Sequence, residues 1–79
     1  MATDVRTWID AYAAALGVAP LPDADVGPLL ELAGAAAHAA ERTAAPLSCW
    51  LAATAGVTPT VALEQARALA ASFAEDDPD

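Results

Sequence analysis

The chain holds 79 residues with a formal charge of −8, one cysteine and one histidine, a length that fits a single domain with limited burial. Cys49 alone cannot form an internal disulfide, and with His38 it is too small a ligand set for a zinc cage, so helix packing or self-association has to hold the fold. Eleven acids against Arg6, Arg42 and Arg67 repel phosphate backbones and anionic lipid surfaces, which excludes nucleic acid and membranes as partners.

Large apolar residues are scarce. The chain is 57% hydrophobic, but alanine makes up more than half of that share and contributes little burial per residue. No stretch alternates with the period of a strand, so the expected fold is all-α. The pattern predicts a compact bundle of four short helices, over about 4–16, 25–42, 46–55 and 59–74, in one domain spanning 1–79. In the first, Thr3 or Asp4 caps the start and Gly17 ends it. Val5, Trp8, Ile9, Tyr12 and Leu16 fall on one stripe at 100° per residue, with Arg6, Asp10 and Ala14 opposite, and the stripe is expected to face the core. Pro20 and Pro22 then forbid helix continuation.

The second helix opens near Asp23 or Asp25, acids that suit a helix N-terminus. Val26, Leu29, Leu30, Ala33, Ala36, Ala37 and Ala40 form its apolar face, with Leu32 on the flank. Glu31, His38 and Arg42 form a polar stripe opposite. A short turn leads to the third helix, with Pro46 expected at its first position. Leu47, Trp50, Leu51 and Thr54 share one face there, Cys49 points away from it, and Gly56 closes the helix. Thr58-Pro59 reads as cap and start of the fourth helix, in which Ala62, Leu63, Ala66, Leu69, Ala70 and Phe73 are expected to face inward. The acidic tail, 75–79, is expected to fray.

Several chemistries fail on inspection. Residues 43–63 carry no charge and are long enough to span a bilayer, but Pro46, Gly56 and Pro59 read as helix ends rather than one continuous span. An acyl carrier protein needs a serine after aspartate, whereas Ser48 follows Leu47 and Ser72 follows Ala71. Asp23 and Asp25 begin a calcium-loop pattern that stops at Gly27 and has no glutamate at the twelfth position. Cys49 with His38 lacks a third orienting group and an oxyanion motif. No catalytic residues and no cofactor are expected, and the N-terminus lacks the basic and apolar regions of a signal peptide, which suits a cytoplasmic protein.

The candidate site is the corner between the second and third helices. His38 and Arg42 both fall in the predicted last turns of helix two, where cations also serve as simple caps. Beside them, Ser48 and the free N–H groups at Leu47 and Ser48 would start helix three, and Glu31 sits on the same stripe. Arginine, imidazole, a hydroxyl and a helix N-terminus together suit a carboxylate or phosphate.

The stretch Ala37-His38-x-x-x-Arg42-x-x-Ala45-Pro46-Leu47-Ser48, with Leu29-Leu30-x-Leu32-Ala33, Trp8-Ile9 and Leu16-Gly17, resembles a small actinobacterial family of unknown function. Its members are stand-alone chains of similar size, and some are joined to, or named for, molybdopterin-guanine dinucleotide biosynthesis protein A, a guanylyltransferase. The resemblance covers roughly residues 7 to 74. It departs at Thr43, where the family has proline, and at Ser48-Cys49, where the family has a threonine pair. It implies an accessory role near molybdenum cofactor guanylylation and supplies no catalytic residues. The leading expectation is therefore a non-catalytic interaction or regulatory module that partners a larger enzyme through Glu31, His38, Arg42 and Ser48. Binding of a small anionic ligand at that corner and a structural homodimer are the alternatives.

Overall fold

The computed structural model describes residues 3–76 and has the expected all-α architecture, a small bundle of four helices with no strand among the described residues. The helices are α1 (Val5–Leu16), α2 (Asp23–Ala39), α3 (Ala44–Ala55) and α4 (Pro59–Asp76). Residues 77–79 of the tail, expected to fray, lie outside the described residues.

Local chemistry sets most of the ends. The Asp4 carboxylate accepts from the Thr7 N–H at 2.8 Å, and this bond holds its pKa below the ordinary value. Gly17 closes α1 in the left-handed region at φ 75°, its N–H reaching the Ala13 and Ala14 carbonyls. Gly56 closes α3 in the same way, also at φ 75°, and the Thr58 hydroxyl caps α4 by accepting from the Val61 N–H at 3.3 Å. A side chain at Gly56 would meet no atom within 4 Å, so only the backbone resists one. Gly56→Ala is expected to cost about 1 kcal/mol and to lower Tm by roughly 4–8 °C in thermal denaturation followed by circular dichroism.

The α2–α3 corner differs from expectation. α2 begins at Asp23, the earlier of the two expected starts, after Pro22 and with no side-chain cap. It ends at Ala39, because Ala40 leaves helical geometry at φ −126°, ψ −94°, so Arg42 lies in the turn instead of the last helical turn. α3 then starts at Ala44 rather than Pro46. The Ala44 and Ala45 N–H groups donate to the Glu41 and Arg42 carbonyls at 2.9 and 3.2 Å. Pro46 is tolerated at the third position because the first turn of a helix leaves its N–H groups without partners in any case.

α2 is the central element, packed on both α3 and α4. The buried side chains among the described residues are Ala13, Leu32, Ala62 and Leu63. Leu32, expected on the flank of α2, is the centre of the core at 3% exposure, and Leu29, Cys49, Ala52, Val57 and Ala66 pack around it. α1 has no helix–helix packing of comparable extent. Arg6 ties it down instead, with Nη1 donating to Asp23 at 2.8 Å and Nη2 to the Leu21 carbonyl at 2.6 Å and to Asp10 at 2.8 Å.

Three apolar faces turn out to be uncovered where burial was expected. On α1, Val5, Trp8, Tyr12 and Leu16 are exposed, and only Ala13 is buried. On α3, the face of Leu47, Trp50 and Leu51 points to solvent, while Ser48, Cys49 and Ala52 turn towards the rest of the bundle. On α4, Leu69 and Phe73 are exposed. Leu29 and Leu32 of α2 share the core with Cys49 and Ala52, and Ala36 lines a cavity with Ala44 and Ser48, so the small side of α3 fills the seam and its large residues turn out. The radius of gyration, 14.3 Å, exceeds the ~12 Å expected of a globular chain of this length, in keeping with faces that have no cover.

Candidate interaction surface

The four residues expected to form one site are divided between three places. His38 is exposed in the last turn of α2, where the helix dipole favours a cation. It lines an open cavity of about 420 Å³ between α2 and α4, together with Arg67 and Phe73. Glu31 is two turns earlier on α2 and faces Arg67 across the same helix pair at 3.9 Å. Both side chains are well exposed, so the pair contributes at most about 1 kcal/mol. Ser48 is half-buried and lines an adjoining cavity of about 160 Å³ that shares Phe73 with the first. Arg42 is exposed in the turn and borders neither of these cavities.

The early start of α3 also removes the expected anion donors. With the helix beginning at Ala44, the Leu47 and Ser48 N–H groups fall within its ladder, aimed at the Thr43 and Ala44 carbonyls four residues back. In the same turn Glu41 accepts from the Thr43 hydroxyl at 3.2 Å. Arg67 is the polar residue missing from the sequence reading. It faces outward on α4 by periodicity, and only the packing of α4 on α2 brings it beside Glu31 and His38.

Cys49 is half-buried against the core cluster, on the side of α3 away from Leu47 and Leu51 as its spacing predicts. Burial pushes its thiol pKa up, so it stays protonated at neutral pH and behaves as a small hydrophobe.

The most developed surface is the α1 stripe. Trp8 and Tyr12 stack on each other with ring centroids 5.9 Å apart and planes 12° from parallel. Trp8 is nevertheless 61% exposed. Below them Ile9, Tyr12 and Leu16 join Val18 and Leu21 of the following linker around an open apolar cleft of about 520 Å³. The positions Val5, Trp8, Ile9, Tyr12 and Leu16 repeat at the spacing by which a helix presents anchors to a partner's groove. Trp and Tyr are also the side chains that most often dominate such contacts. Asp4 caps the start of the helix, while Asp10 lies on the face opposite the stripe and pairs with Arg6 at 2.8 Å.

The sequence model of one family, described as Domain of unknown function (DUF6457), matches residues 1–78. No curated protein and no solved structure matches the chain. No helix among the described residues is long and apolar enough to cross a membrane.

Proposed function

The chain belongs to this family, a domain of unknown function, and from that premise we propose that it is a non-catalytic interaction module that docks on a larger protein through α1. The observation that carries this reading is the Val5–Trp8–Tyr12–Leu16 stripe, exposed on a helix with little packing of its own. A small domain that leaves its two stacked aromatics in water pays for that exposure unless a partner covers them. Charge states what the partner looks like. At −8 overall, the module suits an apolar groove with a basic rim.

The likeness of the His38–Ser48 stretch to actinobacterial chains joined to molybdopterin-guanine dinucleotide biosynthesis protein A supports that guanylyltransferase as the larger protein, in the cytoplasm. The polar edge of Glu31 and His38, now with Arg67, has a lesser part. Its groups are solvent-exposed, and such charges act mainly on association rate and salt dependence.

A titration tests the reading. In a Trp50→Phe chain, Trp8 is the remaining indole. Adding the guanylyltransferase of the same genome is expected to move Trp8 emission to shorter wavelength, with a micromolar or tighter midpoint. An unchanged spectrum at ~50 μM enzyme, a concentration that detects even weak complexes, rejects this partner.

A further inference from the structure

We infer that the outward face of α3 is a two-fold interface at which a second copy of this chain docks. Leu47, Trp50, Leu51 and Thr54 occupy i, i+3, i+4 and i+7 of α3, the spacing of a helix–helix seam. All four are exposed, and at 75% Trp50 is the most exposed large apolar side chain among the described residues.

Charge selects the occupant. Two chains of −8 each repel one another wherever their acids meet. From Thr43 to Leu63 the chain has no ionisable side chain except Cys49, and that thiol is half-buried and neutral. This segment holds all of α3, so its face is where a second acidic copy approaches with least repulsion. A basic partner gains nothing from charge here.

Area sets the strength. Leu47, Trp50 and Leu51 expose roughly 400 Å² of side chain per copy, given about 150–250 Å² for a large apolar group. Two copies therefore bury about 800 Å² from these residues alone, and the flanks bring the total to the small end of specific interfaces. A self-complementary patch on a two-fold axis counts each contact twice. The dimer is accordingly concentration-dependent, with a micromolar midpoint. It uses a different face from the α1 contact, so the two proposals stand or fall separately.

Sedimentation equilibrium of the full chain from ~1 to ~500 μM, spanning that midpoint, is expected to show the mass rise from 7.9 kDa to twice that value. Trp50→Glu and Leu51→Glu each put a charge on the seam and are expected to hold the mass at that of one chain, with helicity by circular dichroism unchanged. Trp8→Glu, on α1, is expected to leave the rise intact. In a Trp8→Phe chain the emission of Trp50 should move to shorter wavelength over the same concentrations. A single-chain mass throughout, a rise that survives both α3 substitutions, or a rise abolished by Trp8→Glu alone overturns the proposal.

Discussion

Leu32→Ala is expected to destabilise the chain by about 3 kcal/mol and to lower Tm by roughly 10–25 °C. Leu32 is 3% exposed and sits where α2 meets Ala62 and Leu63 of α4, with Leu29 and Cys49 beside it. Truncation leaves a cavity lined by side chains that are themselves small or held on helices, so the site cannot collapse to refill it. A domain of this length has about 4–12 kcal/mol of stability in total. With so few buried residues, losing Leu32 removes a large part of it. Leu30, two residues away on the same helix, is 65% exposed, and Leu30→Ala is expected to change stability by less than about 0.5 kcal/mol. Urea denaturation of the two variants beside the parent checks the contrast. Equal midpoints for the two would mean that the core lies elsewhere.

The second large effect is on binding. Trp8→Ala is expected to weaken docking of the partner by at least about 2 kcal/mol, roughly thirty-fold in Kd, read by calorimetric titration. Trp8 lies near the middle of the α1 stripe and stacks on Tyr12, so its loss removes the largest anchor and frees its neighbour. The cost to the fold is small, because the indole already faces water. Trp50→Ala serves as the control. It removes an equally large exposed side chain from α3 and is expected to leave the affinity for the larger protein within about two-fold. A Trp8→Ala chain that binds as tightly as the parent would remove α1 from the contact.

How far the sequence reaches is clear from particular residues. Asp4, Gly17, Gly56 and Thr58 act where sequence places them, because capping is a contract between residues three or four apart. Four helices and the absence of strands follow from the same local rules. The inward face of α3 does not. Its sequence, AAPLSCWLAATA, is uncharged on every side, so periodicity offers no outside, and the partner helix decides. α2 presents Leu29, Leu32 and Ala36, and α3 answers with Ser48, Cys49 and Ala52 while its large residues turn out. The α1 stripe was legible as an apolar face but not as an uncovered one, since burial depends on what else is near.

The candidate site divides along the same line. His38 in the last turn of α2 is a local feature and stands as read. Arg42 was misplaced by the two or three residues over which helix ends are hardest to fix, and that shift also took away the free N–H groups at Leu47 and Ser48. The neighbour that His38 and Glu31 do have, Arg67, lies 29 and 36 residues further along the chain, beyond any local pattern. Only the packing of α4 on α2 supplies it.

In the proposed reading, function resides on a face the fold leaves uncovered, the apolar stripe of α1. Site-specific photo-crosslinking in cells of the native host tests it most directly, with the reactive side chain placed at Trp8 or Tyr12 and, as control, at Ala14 on the far side of α1. One discrete adduct with a larger protein is expected from positions 8 and 12 and none from position 14. No adduct from the stripe, or the same adduct from both sides of the helix, would contradict that reading.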